Sequence, residues 1–260
     1  MNKENLIPKF NLLVWLILFS LLLRLITVYF IRDNHLDNEW QVLVNNLANY
    51  KSYSFYTFGN QLIPSAYMPP MYAFFIYFIR VVTSFDGTNL VYSVIFIQII
   101  LSIYSIYLFY QINQNFFSNN LSLINAFIFS IIPLNLYVCG QISSINLQLI
   151  FSLVFLKFLL LIIKKPSKSS ELFFATISGL LILTRGEFIL IFVLIIFFIL
   201  IYKKIKVANL VKILIIVSLI ISPYLIRNYI NFNQIFLVKS LGYNLLKGNN
   251  EMSKVGGYEN

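Results

Sequence analysis

The residues best suited to chemistry lie in one long polar loop, residues 32–70, between two apolar segments. The loop carries the single histidine of the chain, His35, and the carboxylates of Asp37 and Glu39. A carboxylate held at the surface of an apolar layer can act as a general base that takes a proton from an attacking hydroxyl or amine. A structural role is equally open, with Asp37 as a helix N-cap and Glu39 as a partner of the helix dipole.

A short amphipathic helix is predicted immediately after these acids. Its apolar stripe recurs at helical spacing, at Trp40, Leu43, Val44 and Leu47. Polar amides occupy the opposite face, so we expect the helix to lie along a membrane surface. Farther on, Pro69 and Pro70 predict an extended stretch that leads into a second helix.

Three arginines are candidates for binding a phosphate. Arg185 lies in a turn with Glu187, Arg227 lies near the end of the last apolar segment, and Arg24 lies inside the first one. The guanidinium fork suits phosphate oxygens, and ionisable residues inside apolar segments are functional candidates. Arg24 could instead extend to the interface, and Arg185 could pair with Glu187.

Composition places the chain in a membrane. It has 260 residues, of which 59% are hydrophobic and 11% charged, with a mean hydropathy of +0.82. A soluble domain carries about 25% charged residues, so this chain is an integral membrane protein. Its net charge of +10 comes from lysines at segment ends, which indicates membrane orientation rather than nucleic-acid binding. The sequence contains no metal-ligand spacing and no glycine-rich nucleotide loop, so a donor substrate must come from the membrane.

The apolar pattern predicts an all-α protein with about seven transmembrane helices, at residues 10–31, 90–110, 121–138, 145–163, 172–183, 188–202 and 211–230. Residues 71–85 are short and carry Arg80 in their middle, so we predict an interfacial or re-entrant helix there. A cytoplasmic N-terminus then leaves the lysine-rich loops 164–171 and 203–212 inside, as the positive-inside rule requires. We therefore expect a transmembrane module at residues 1–230, with its first external loop at 32–85, and an external tail at residues 231–260.

Five short motifs resemble the GT-C glycosyltransferases of the protein O-mannosyltransferase and lipid A aminoarabinose transferase group. They occur in order along the chain: the loop acids with Trp40 and Asn-Leu at 46–47, Pro-Pro-Met-Tyr at 69–72, Leu-Thr-Arg-Gly-Glu at 183–187, Pro223 with Arg-Asn-Tyr at 227–229, and Gly-Tyr-Asn-Leu-Leu-Lys-Gly-Asn-Asn at 242–250. The resemblance covers residues 10 to about 250.

This resemblance implies an inverting transfer of a sugar from a polyprenyl-phosphate-linked donor to a glycan, lipid or protein acceptor. The reaction would take place at the external, periplasmic face of the plasma membrane, with Asp37 as general base and Glu39 as the second candidate. The lipid phosphate would be held by arginines, namely Arg185, Arg227 and Arg24. The expected substrate-loop residues are His35, Trp40, Tyr67, Tyr72 and Asn249. No cofactor is implied with certainty, and a divalent metal is not indicated.

The chain also departs from the group. Loop 139–144 has no acid where relatives often carry a second one, and Met68 stands where some relatives have lysine. Relatives commonly continue beyond the point where this sequence stops, so a fragment, a minimal member and a member with degraded activity are all open. A non-catalytic subunit or pseudoenzyme that binds a lipid-linked sugar is the alternative function. A flippase or transporter is less favoured, because the ionisable residues gather at one face rather than across the midplane.

Overall fold

The computed structural model describes residues 7–36, 38–56, 61–202, 205–240, 246 and 249. Helices dominate this part of the chain. They are α1 (Ile7–Ile31), α2 (Asn38–Tyr50), α3 (Pro70–Thr83), α4 (Gly87–Asn113), α5 (Asn119–Ile131), α6 (Pro133–Tyr137), α7 (Ile145–Lys164), α8 (Lys168–Thr184), α9 (Phe188–Ile201) and α10 (Val207–Phe232). Two short strands, β1 (Ser54–Tyr56) and β2 (Leu62–Pro64), pair antiparallel between α2 and α3.

Four of these helices are long and apolar enough to cross a membrane, namely α1, α4, α7 and α10. The predicted count of seven spanning helices is not confirmed. The other three predicted spans correspond to α5, α8 and α9, which have 13, 17 and 14 residues. A perpendicular crossing needs about 20 residues, so these helices are shorter than the hydrocarbon layer. The four long helices are sufficient by themselves to make the chain a multi-pass membrane protein.

The prediction of one continuous helix over residues 121–138 is wrong. Ile132 leaves the helical conformation, with φ −57° and ψ 122°, and Pro133 starts the separate helix α6. Proline disfavours the α conformation for the residue before it and has no N–H to donate to the preceding turn. The local steric rule therefore overrides the continuous apolar pattern at this position.

Helix α8 is the centre of the second half of the bundle, where it packs against α7, α9 and α10. A reciprocal capping box between Ser167 and Ser170 fixes its start. Gly179 allows the closest approach to α10, because an added Cβ there would lie 2.8 Å from a methyl of Ile220. Helix α10 in turn continues through Pro223, and the hydroxyl of Ser222 donates to the Leu219 carbonyl that the proline cannot satisfy (3.1 Å).

The predicted amphipathic helix is confirmed as α2. Its stripe is buried, with Trp40 and Leu47 6% exposed and Leu43 and Val44 fully enclosed. Helix α2 packs on α3 and β1, and α3 packs on α4 and α8. The loop between α1 and α4 is therefore a folded layer docked on the ends of the spanning helices.

Candidate functional site

The long loop, the turn after α8 and the end of α10 meet on one face, which we call the loop face. The backbone N–H of Lys239 donates to the carbonyl of Ala66 (2.9 Å). Arg227 of α10 reaches the carbonyl of Ser65 (2.6 Å). Tyr67 lines a cavity together with Arg185. The motifs singled out in the sequence at these positions are thus brought together in space.

Arg227 fastens the loop layer to α10. Its guanidinium donates to the carbonyls of Ser65 and Tyr53 and to the side-chain oxygen of Asn228. The Asn228 amide in turn donates to the carbonyl of Phe236 (2.9 Å), so the segment after α10 joins the same network. These contacts give Arg227 a structural role in addition to its positive charge.

A cavity of about 520 Å³ lies beside this guanidinium, and we call it the Arg227 cavity. Its volume falls in the range of ligand sites, about 300–1,000 Å³. Apolar side chains of α2, β2, α3, α8 and α10 supply most of its wall, and Arg227, Tyr53 and Tyr224 add polar groups. Other lining residues are Lys51, Pro70, Met71, Phe74, Leu183 and Pro223.

Tyr53 is a buried polar group of the Arg227 cavity, and no pattern in the sequence marks it as a site residue. It is 7% exposed, and its hydroxyl donates to the carbonyl of Met68 (2.9 Å). Burial raises the pKa of this phenol well above its ordinary value, and the nearby carboxylate of Glu39 adds to the effect while Arg227 opposes it. The charges of Glu39 and Arg227 therefore both reach the same phenol.

A second cavity, the Arg185 cavity, has a volume of about 490 Å³. The segment 64–71 separates the two cavities, because Pro64, Pro70 and Met71 line the first while residues 67–69 line the second. Helix α9 contributes apolar side chains to the second, of which Leu190 is 67% exposed. This wall is suited to contact with a lipid chain.

Arg185 is a second cation of the loop face, beside Arg227. Its Nε is buried with no hydrogen-bond partner among the described residues. The predicted alternative, an ion pair with Glu187, does not form, although both residues line the cavity. Within the described residues the ion pair found is that of Arg80 with Asp86, so Arg185 and Arg227 both lack a carboxylate within 4.0 Å.

The structure describes some of the acids of the first loop but not all of them. Asp37 lies outside the described residues. Glu39 lies in the first turn of α2, partly buried, and interacts with its surroundings. His35 is exposed. The catalytic roles of Asp37 and Glu39 stay predictions.

Two of the predicted substrate-loop residues, Trp40 and Tyr72, are packed inside the loop layer. Their rings meet edge to face with centroids 4.9 Å apart. The Tyr72 hydroxyl donates to the Gln98 side chain (2.9 Å), whose amide donates to the carbonyl of Gln141 (2.9 Å). Helix α4 thereby joins α3 to loop 139–144, a link that the sequence did not predict.

Asp33, another acid of the first loop, is hydrogen-bonded to loop 139–144. Its carboxylate accepts a hydrogen bond from the backbone N–H of Ile142 (2.6 Å), and its own N–H donates to the carbonyl of Gly140 (2.9 Å). Loop 139–144 has no acid of its own. The carboxylate beside it comes instead from the first loop, more than one hundred positions away in sequence.

Arg24 does not lie with the other two arginines. It is fully buried and donates to the Ser102 hydroxyl (2.8 Å) and the Ser130 carbonyl (3.3 Å). These contacts join α1, α4 and α5 inside the bundle. Its expected phosphate-binding role gains no support from this placement.

The remaining predicted substrate-loop residues are Tyr67 and Asn249. Tyr67 is half-buried in the wall of the Arg185 cavity, whereas Asn249 is exposed beyond the continuous part of the structure. Among the described residues, no group of three or more His, Cys, Asp or Glu side chains could hold a metal ion.

Two comparisons identify relatives of this arrangement. Residues 67–226, more than half of the chain, match the family described as dolichyl-phosphate-mannose-protein mannosyltransferase. The fold is similar to that of an oligosaccharyltransferase from Archaeoglobus fulgidus, solved with a tethered acceptor peptide containing an NVT sequon. The TM-score is 0.63 at 14% sequence identity, over 90% of this chain and 32% of that chain. No curated protein matches the chain in sequence.

Proposed function

Since the chain belongs to the dolichyl-phosphate-mannose-protein mannosyltransferase family, we propose that it is a membrane glycosyltransferase that uses a polyprenyl-phosphate-linked sugar. The chain spans about a third of the length of the similar oligosaccharyltransferase, so the activity of the whole protein is part of the proposal. The observation that carries it is the Arg185 cavity, where an arginine without a partner in the described part of the chain lies beside an exposed apolar helix wall.

The donor fits this cavity through two features. A polyprenyl phosphate has an apolar chain and an anionic head group. Ile189 and Leu190 of α9 offer the chain an apolar surface, and Arg185 offers the phosphate a bidentate donor. Arg227 adds positive charge from the other side of the segment 64–71. Among the residues that the structure describes, no carboxylate lies within 4.0 Å of either arginine. Both would stabilise the phosphate that leaves with the bonding electron pair.

The chemical step needs a base on the other side of the sugar. We assign this role to Asp37, with Glu39 as the second candidate. The carboxylate takes the proton of the acceptor hydroxyl or amine as the acceptor atom bonds to the anomeric carbon. The bond from that carbon to the phosphate oxygen breaks at the same time, so the configuration inverts. The acceptor is a glycan, lipid or protein.

The orientation follows from the lysine pattern. With the N-terminus in the cytoplasm, the loop face lies on the external or periplasmic side of the plasma membrane. A lipid-linked donor presented on that side reaches the Arg185 cavity from the bilayer. This arrangement needs no nucleotide-sugar site within the chain.

The experiment is transfer of radiolabelled sugar from a panel of undecaprenyl-phosphate sugars, with purified protein in native lipid. Wild type is compared with Asp37→Asn and Asp37→Ser. Asparagine and serine cap a helix as well as aspartate but are not bases, so both variants should keep their thermal stability. Loss of a general base lowers the rate by about 100- to 10,000-fold.

Three outcomes decide between the hypotheses. Activity lost in both variants at unchanged stability supports the base assignment. Activity retained in both makes Asp37 a helix cap and moves the assignment to Glu39, tested as Glu39→Gln. Saturable donor binding without turnover by the wild type would refute the transferase and favour the non-catalytic binding subunit.

A further inference from the structure

Lys51 has a backbone conformation that its side chain disfavours. It follows the last residue of α2 with φ 53°, in the left-handed region. Glycine or asparagine normally occupies the position after a helix, because other residues place a Cβ against the backbone there. Strain of this kind is enriched at ligand sites. Ser84 and Asn233, at the ends of α3 and α10, share the conformation.

The side chain of Lys51 stands between two cavities. It lines the Arg227 cavity and also a smaller one of about 240 Å³, which we call the Arg80 cavity. The smaller cavity lies between the C-terminal ends of α2 and α3, and its polar lining includes Tyr77, Ser84 and Asp86. A group bound there would touch the wall of the Arg227 cavity.

The charge of Lys51 is available to a ligand. Arg80, the other cation of the small cavity, is neutralised by Asp86 (2.8 Å) and also donates to Asn45 (2.9 Å). The ammonium of Lys51 donates to the Tyr77 hydroxyl at 3.2 Å. Among the described residues it has no carboxylate within 4.0 Å.

We propose that Lys51 binds a phosphate group carried by the acceptor, so that the acceptor of the proposed transferase is a phosphate-bearing molecule. The assignment to an acceptor rests on the proposed function, whereas the phosphate site itself does not. Lys51, Tyr77 and Ser84 offer an ammonium, a phenol and a hydroxyl around one small cavity. A phosphate offers one strong acceptor oxygen to each of the three donors, and its charge of about −1.5 to −2 at pH 7 exceeds that of a carboxylate.

Lys51 thereby holds the acceptor next to the Arg227 cavity and away from Arg185, which serves the donor. The two phosphates meet different cations, so each site can be removed without the other. Position 51 also permits a substitution that removes the ammonium and relieves the backbone at once. Lys51→Gly fits the left-handed conformation better than lysine does.

The test is binding of two probes to purified protein in neutral detergent, inorganic phosphate and the short-chain lipid dihexanoyl phosphatidic acid. Binding is measured in an Arg185→Gln background, which removes the bidentate cation of the donor site and leaves Arg227 the same in every variant compared. We expect Lys51→Gly to raise the Kd about tenfold or more, Lys51→Arg to restore it, and the exposed, distant Lys165→Gly to leave it unchanged. The melting temperature of Lys51→Gly should equal or exceed that of its background.

Each outcome decides the proposal. Binding of both probes through Lys51 assigns a site for phosphate itself, and binding of the lipid alone assigns a lipid head group. Equal Kd values with and without Lys51, or weaker binding accompanied by a lower melting temperature, would overturn the site. A wild type that transfers no sugar yet binds phosphate through Lys51 would refute the proposed function and leave the site standing.

Discussion

Replacement of Arg227 by lysine should release the β1–β2 hairpin from α10 although the positive charge is kept. The arginine fork donates to the carbonyls of Tyr53 and Ser65, which flank the paired strands at the open end of the hairpin, and to Asn228. Lysine is a point charge on a flexible stem and cannot reproduce the fork. At least one of the three acceptors therefore loses its hydrogen bond to the side chain at position 227.

The size of the effect follows from these contacts. A hydrogen bond to a charged group contributes about 1.5–3 kcal/mol, and Arg227 is half-buried, so we use the lower end for each bond. Loss of one or two bonds then costs about 1.5–3 kcal/mol. Every 1.4 kcal/mol is a factor of ten, so local opening of the hairpin should increase by about ten- to a hundredfold.

Hydrogen exchange with mass spectrometry on the detergent-solubilised protein measures this opening. Amides of residues 53–66 should exchange faster in Arg227→Lys, while those of α4 should not change. Arg185→Lys is the matched control, because the buried Nε of Arg185 has no partner in the described part of the chain. Unchanged exchange at residues 53–66 in Arg227→Lys would refute the anchoring role, and an equal increase in both variants would show a general effect of the surface charge.

Two further changes test the packing and the electrostatics of the same region. Gly179→Ala places a methyl within 2.8 Å of Ile220, so it should destabilise the α8–α10 contact by about 1–3 kcal/mol and lower the melting temperature. An unchanged melting temperature would show that α10 moves freely away. Burial raises the pKa of Tyr53, because the folded state favours the protonated phenol. The contribution of this phenol to the free energy of unfolding is therefore complete below about pH 10 and is lost as the pH rises towards the folded-state pKa. Hydrogen exchange of the hairpin should therefore accelerate at alkaline pH in wild type, and Tyr53→Phe should remove that pH dependence, whereas the same alkaline loss in the variant would assign it to another group.

The helices of the loop layer could be predicted because their signals are local. The period of the α2 stripe requires only residues within two turns of one another. Pro70 begins α3 because its fixed φ suits the first helical position. The break at Ile132 has a local signal as well, Pro133, which outweighs the continuous apolar pattern.

Composition and these local patterns by themselves determined a multi-pass helical protein with a folded polar loop at one face. The tertiary structure decided which polar groups meet. Arg24 contacts Ser102 and Ser130, Asp33 contacts Ile142, and Arg227 contacts Tyr53 from 174 positions away. Such partners are selected by how the helices pack, because a hydrogen bond needs atoms about 3 Å apart and sequence spacing does not specify that distance between separate elements. The same reason explains why three arginines with equal claims as phosphate ligands in the sequence have different environments in the fold.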